Sequence, residues 1–377
     1  MKLGNKLTKL GDKSIKLVNK LTKLGNKSIK LVDKKENSDK YVWRFDKVHY
    51  NLAKGGENVL LKKREVSSKQ LTLEMLERRL PKSHPKTTYY QEMLNRTRAG
   101  YAGEQRVDQE WQEIYLEQAH YLLHDVVLKD ESGSVHQMDT LLMSQNFILI
   151  VEIKNIVGRV EYMEDNHQFI RVTSDGRVDG FRNPFDQVKR HARFLRQIFQ
   201  KAGYHIPIVY MIVSANPNMI MASSLSAQPI IHVSGLAEKV EQLFLRYSQV
   251  CLSERDLGRV AEHILKKHES SQWIPDIEWC ELKKGAFCSQ CEYQHTVQYF
   301  FGKWRCSNCQ RTDNKSMLVA LQDYQLMMGN NISNAQFRDF LDIDSKKAAY
   351  YLLKKLKFEV IGGNKNRKYI IPTNLLD

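Results

Sequence analysis

Asp139, Glu152 and Lys154 are the first residues whose types and spacing could do chemistry. They lie in QMDTLLMSQNFILIVEIKN, residues 137–155, where two apolar runs flank Gln145–Asn146, and Asn suits a tight turn between strands. A hairpin turning there puts Asp139 opposite Glu152, and opposed residues of an antiparallel pair share a face with Cβ atoms about 4.5–5.5 Å apart. Lys154, two residues beyond Glu152, falls on the same face by the strand's period of two. Two facing carboxylates at the end of an otherwise apolar strand (FILIV) repel each other and need something to offset them. A divalent cation is one such partner, and an all-oxygen set suits Mg²⁺ or Mn²⁺, which keep waters and accept phosphate oxygens. Lys154 could then orient or deprotonate an attacking water, or stabilise charge developing on a phosphorane. The plainer alternative is a surface Glu–Lys pair with Asp139 in a turn, because polar residues alternate on any half-exposed strand.

A second group is chemically more specific. Cys288-x2-Cys291 and Cys306-x2-Cys309 are separated by 14 residues. Each CxxC can sit on a tight turn that points two thiolates at one tetrahedral Zn²⁺, and the spacer suits a short hairpin. That spacer is rich in strand-forming aromatics (Tyr293, Tyr299, Phe300, Phe301, Trp304) around a turn at Gly302–Lys303. Four Cys close the site, so the zinc is structural. A redox dithiol pair or unrelated thiols are the alternatives, but redox CxxC pairs sit at helix N-termini and these do not. Cys251 and Cys280 have no partner spacing and read as ordinary buried thiols.

The elements that must position the carboxylates follow from pattern and caps. A helix is expected over Lys69–Leu80, ending at Pro81, and a second from near Tyr89 through Glu117, with breaks at Gly100 and Gly103. Strands follow at Tyr121–Leu128, Gln137–Met143 and Phe147–Lys154, then a polar excursion at 155–183 that holds a hairpin and His167, an ordinary exposed histidine. A helix from Pro184 to Lys201 and a strand at Ile206–Ser214 complete the order helix, three strands, helix, strand of a mixed α/β domain of about 115 residues, and a strand at Pro229–Val233 and a helix at Leu236–Ser248 follow it.

This segment resembles the nuclease-related domain (NERD) family of the PD-(D/E)xK nuclease superfamily, known mainly from bacteria. The resemblance covers about Ala99–Ala215 and rests on GYAGE at 100–104, then Asp139, then Glu152-x-Lys154, then NPFDQ at 183–187. It implies a restriction-endonuclease-like mixed sheet in which Asp139 and Glu152 hold Mg²⁺ and Lys154 assists the water. The resemblance also implies that Glu104, on the helix before the sheet, and Gln187, on the helix after it, support the site. Family members often carry a small acidic or polar residue two positions before the Asp; here it is Gln137, which is compatible. The segment Asn58–Arg98 also looks like the lead-in of bacterial members.

Downstream, SNAQFRDFLD (333–342) and DSKKAAYYLLKKLK (344–357) are two helix patterns joined by a short turn, the second capped at Asp344–Ser345. FEVIGGNKNRKYIIP adds two strands around a Gly–Gly–Asn turn, and the whole resembles a winged helix. Lys346, Lys347, Lys365, Arg367 and Lys368 could meet phosphates or bases; a small interaction module with solvated lysines is the alternative.

The chain of 377 residues carries 58 Lys+Arg against 43 Asp+Glu, a net +15, which favours polyanionic partners and says nothing of fold. Residues 1–35 hold eleven Lys against Asp12 and Asp33 in a 14-residue repeat, KLTKLGDKSIKLVN then KLTKLGNKSIKLVD. Its leucines form a heptad stripe weakened by Gly4, Gly11 and Gly25, so it reads either as a poorly ordered tail or as a basic helix for a membrane or another helix. No apolar run is long enough to cross a bilayer, no secretory signal is evident, and the cysteines are paired for metal, which together point to the cytoplasm.

The expected organisation is a Lys-rich extension (1–57), a helical lead-in (58–98), a NERD core (99–215), an α/β continuation and linker (216–284), a zinc ribbon (285–313) and a winged-helix-like unit (314–377). The expected activity is Mg²⁺- or Mn²⁺-dependent hydrolysis of nucleic acid, DNA foremost. The alternative is a non-catalytic DNA-binding protein that uses the nuclease fold as scaffold.

Overall fold

Apolar runs such as FILIV can be buried along their whole length only in a sheet covered on both faces. The computed structural model describes residues 59–377 apart from 271, 364, 365, 374, 376 and 377, so the N-terminal repeat and Lys365 lie outside the described residues. In chain order its first elements are β1 (Val59–Lys62), α1 (Ser68–Arg79), α2 (Thr87–Glu113), β2 (His120–Lys129), β3 (Val135–Ser144) and β4 (Ile148–Lys154). Then come β5 (Gly158–Met163), β6 (Gln168–Val172), β7 (Val178–Phe181), α3 (Pro184–Lys201), β8 (Ile208–Ser214), β9 (Met219–Met221), β10 (Ile230–His232), α4 (Leu236–Arg246) and α5 (Glu254–Lys267).

Six strands form a mixed sheet in the order β1-β2-β3-β4-β8-β10. The β2–β3–β4 meander is antiparallel, while β1, β8 and β10 join in parallel. Alternate residues feed two cores: Leu141 and Ile150 pack with Leu195 of α3 and Leu257 of α5, and Leu142 and Leu149 pack with Trp111 of α2 and Val240 of α4. A smaller sheet, β7-β6-β5-β9, is the hairpin expected in the polar excursion extended by two strands, and its Val160 and Phe169 cover Phe185 and Val188 of α3.

Three expectations need revision. The second helix is continuous through Gly100 and Gly103; a Cβ at Gly103 would lie 2.6 Å from the Asn155 side chain, so that glycine permits close helix–strand approach and does not end the helix. Strand β1 and helix α5 were not foreseen: the first adds a parallel edge, and the second buries Val260 and Ile264 on the main sheet where a linker was expected. Cys280 is exposed, not buried, because it lies in a surface 3₁₀ turn.

The C-terminal third contains β11 (Ala286–Phe287), β12 (Thr296–Phe300), β13 (Lys303–Cys306), α6 (Lys315–Met328), β14 (Asn331–Ser333), α7 (Asn334–Leu341), α8 (Lys346–Leu356), β15 (Glu359–Ile361) and β16 (Lys368–Ile370). The first three strands make one antiparallel sheet and β14-β16-β15 another. Ser333 and Ser345 cap α7 and α8 as their types require. The two small sheets share a core through Trp304, Leu321, Tyr324 and Phe337.

Candidate active site

The hairpin forms in the expected register. Ser144 N–H donates to Phe147 O (3.1 Å), enclosing the Gln145–Asn146 turn. The pairs run from Met143↔Ile148 to Thr140↔Val151, so the next step places Asp139 opposite Glu152. Asp139 accepts the Ile153 N–H at 2.7 Å, and Lys154 Nζ donates to Glu152 Oε1 at 2.6 Å. Gln187, in the first turn of α3, stands against the Glu152 carboxyl and favours its charged form. Asn183 sets that turn: its Oδ1 accepts the Phe185 N–H at 3.0 Å, and Pro184 supplies a helical φ at the first position.

Glu104 approaches from α2. That helix is stitched to the ends of β4 and β8 by Asn155 Nδ2 on Ala99 O (2.6 Å) and Arg106 on Ala215 O (2.7 Å). The five expected residues therefore come together at one end of the sheet. Glu152 is only 2% exposed, while Asp139, Lys154, Glu104 and Gln187 are half-buried, so the cluster has a buried floor and an accessible rim.

Electrostatics shows a site short of positive charge. Burial, then the negative charge of Asp139, pushes Glu152 up to about 8, against the opposing pull of Lys154. Burial and Asp139 likewise raise Glu104 to about 7, and burial raises Asp139 itself. Burial works against the Lys154 charge, but Glu152 and Asp139 outweigh it and hold the ammonium above its ordinary pKa. Glu152 Oε2 is buried without a hydrogen-bond partner. A buried carboxylate oxygen without a partner beside a second carboxylate is chemistry suited to holding a cation. Among the described residues only the cysteines bring three or more metal-ligating side chains within 4.8 Å of one another. A cation at Asp139 and Glu152 would thus rest on two carboxylates and fill its shell with water and substrate oxygens, a habit of Mg²⁺.

Three participants were missed from sequence. Arg64, just past β1, donates to Glu104 (3.0 Å), to both oxygens of Asp108 (2.8 and 3.1 Å) and to Asp139 O (2.8 Å). His124 lies between Asp108 (3.3 Å) and Thr140 Oγ1 (3.0 Å), and burial lowers its pKa to about 4, so it is neutral. Asp125 interrupts β2 with φ 51°, accepts from the Gln137 amide at 2.8 Å, and adds negative charge near Glu104 and Asp139. Aspartate tolerates the left-handed region better than most residues, and such strain concentrates at functional sites. An acid inside HYLLHDVVLK was the available signal for Asp125; nothing local marked Arg64.

The four cysteines form a second, closed site. The Sγ atoms of Cys288 and Cys309 are 3.8 Å apart, as are those of Cys291 and Cys306. A tetrahedron with Zn–S bonds of about 2.3 Å has edges of about 3.8 Å, so the set is sized for zinc and far too open for disulfides. In the terminal unit Lys346, Lys347, Arg367 and Lys368 are all exposed, the first two on α8 and the others beside β15–β16.

Residues 99–215 match the family model of the nuclease-related domain, NERD. No curated protein and no solved structure matches the chain.

Proposed function

From the premise that residues 99–215 form a nuclease-related domain, we propose that the protein is a Mg²⁺- or Mn²⁺-dependent phosphodiesterase that hydrolyses nucleic acid, DNA in particular. The observation that carries the proposal is the convergence of Asp139, Glu152 and Lys154, with the second Glu152 oxygen buried and without a hydrogen-bond partner. Asp139 and Glu152 would hold the cation, which would polarise a phosphate oxygen and acidify a water. Glu152 and Asp139 favour the ammonium form of Lys154, which suits it to stabilise negative charge building on the phosphate. Gln187 favours the charged form of Glu152 against the upward push of burial and Asp139, and Arg64 holds Glu104 and the Asp139 backbone in place. The zinc ribbon and the Lys-bearing α8 supply nucleic-acid contacts away from the reacting phosphate, since a basic exposed helix suits a duplex groove.

The test is incubation of the purified protein with linear and circular DNA and with RNA, plus Mg²⁺ or Mn²⁺, beside Asp139→Ala. Metal-dependent cleavage lost in the variant by at least about a hundredfold supports the reading. Cutting of circles marks an endonuclease. Binding by both proteins without cleavage by either favours the alternative, a nuclease fold kept as a scaffold for DNA binding.

A further inference from the structure

Strands β12 and β13 pair Phe300 with Lys303, leaving Phe301–Gly302 as a two-residue turn. Both turn residues have positive φ, 45° and 79°. That is the signature of a type I′ hairpin, for which Asn–Gly is the preferred pair. A phenylalanine in the left-handed region is strained and offers the turn nothing that asparagine would not. Nor does it pack: Phe301 is 90% exposed and Phe300 67%. The two rings meet edge to face, with centroids 4.4 Å apart, and present their remaining faces to solvent. The fold below does not need them, because Val297, Trp304 and Cys306 fill the inward positions of the same hairpin.

The outward positions carry a consistent chemistry. Gln298 pairs with Arg305 and Phe300 with Lys303, so an amide, two cations and an aromatic ring share one face below the Phe301 tip. Lys303 and Arg305 are exposed and make no ion pair among the described residues. No acidic residue occurs from Tyr293 to Thr312, and the next, Asp313, is turned inward onto Ser289 and Ser316. Exposed aromatic faces flanked by unpaired cations match unstacked bases joined by phosphates, since every base has a π-face and every linkage a charge.

We propose that the Phe300–Phe301 tip of the zinc-bound hairpin is a stacking site for single-stranded nucleic acid, with Lys303 and Arg305 holding the adjoining phosphates. This rests on the nucleic-acid reading of the protein and names the form of the strand. A duplex offers such a tip no free base face except at frayed ends, nicks and bubbles, so the hairpin would select opened substrate.

The test uses the full-length, zinc-loaded protein carrying Asp139→Ala, without Mg²⁺, so that its outcome does not depend on cleavage. Binding of dye-labelled single-stranded and duplex oligonucleotides is followed by fluorescence anisotropy. The variant Phe300→Thr with Phe301→Asn places a strand former and a turn former at those sites, so zinc content and melting temperature should be unchanged or improved. It is expected to weaken single-strand binding by about tenfold or more while leaving duplex binding within about twofold. Phe301→Trp should retain single-strand affinity. Unchanged single-strand affinity in the folded double variant overturns the proposal. So does a Phe-dependent affinity for anionic vesicles in place of the oligonucleotide, which would make the tip a lipid anchor. If cleavage assays fail but this selectivity holds, only the catalytic reading falls.

Discussion

Glu152 is where the residue scale governs behaviour. Its carboxyl is raised from 4.5 to about 8 by burial and by Asp139. The folded state therefore binds that proton more tightly than the unfolded chain does. The stability it lends is fully present below about pH 4.5 and is lost as pH rises toward 8. Melting curves of the metal-free protein should show this loss across pH 5–8, on the order of a few kcal/mol by linkage. Glu152→Gln should flatten that part of the profile. Mg²⁺ or Mn²⁺ at pH 8 should restore stability to the wild-type chain and not to the variant. A variant whose pH profile matches the wild type would show that Glu152 is not the group responsible.

At the scale of elements, the site depends on how α2 is tied to the sheet. Gly103 lets the helix approach Asn155, and Arg64 crosses from the end of β1 to bind Glu104, Asp108 and the Asp139 carbonyl. One guanidinium thus satisfies acids on a helix and a backbone group on β3. Its loss leaves Glu104 and Asp108 facing each other with no cation between them. Arg64→Ala is expected to lower unfolding stability by about 3–5 kcal/mol. Cleavage should fall as well, even at temperatures where the variant stays folded. Arg64→Lys should recover little of either, because an ammonium cannot reproduce the planar fork that spans these acceptors. Urea denaturation beside single-turnover cleavage separates the two effects, and full recovery by lysine would show that charge alone matters.

Across the whole molecule, the helical lead-in serves the C-terminal modules as much as the nuclease-related domain. Arg79 and Asp323 are both buried and paired at 2.8 Å, and Arg78 joins the same carboxylate at 2.5 Å. Arg79 also donates to Lys283 O and Gly285 O and lies over the rings of Phe287 and Phe340. Helix α1, the start of the cysteine-bearing sheet, α6 and α7 are held by this one cluster. The expected boundaries at 98, 284 and 313 therefore separate stretches of sequence that share packing. Asp323→Ala strands the buried Arg79 and the half-buried Arg78 and should cost about 3–5 kcal/mol, with protease sensitivity appearing near Trp273–Lys284. Arg79→Met combined with Asp323→Leu should be much milder, since removing a buried pair entirely costs less than breaking it. Limited proteolysis and thermal melts check both; equal damage from the single and double changes would contradict this account.

Local pattern carried a good part of this. The Asp139–Glu152 register follows from a period of two and one turn, and α3 has the expected bounds, Pro184–Lys201, because Asn183, Pro184 and the amphipathic repeat are all local signals. The cysteine pairs are likewise read from spacing, since the CxxC turns carry their own geometry. The tertiary structure alone decided Arg64, which meets Asp139 across 75 residues, and Arg79, which meets Asp323 across 244. It alone showed that Gly103 marks close approach and that Asp125 turns out of its strand. It also left Phe300 and Phe301 uncovered, where composition would have counted them among the core. Period, caps and turns act over a few residues and are legible along the chain. Which distant side chains meet, and which aromatic residues find no cover, depends on how the sheets and helices stack.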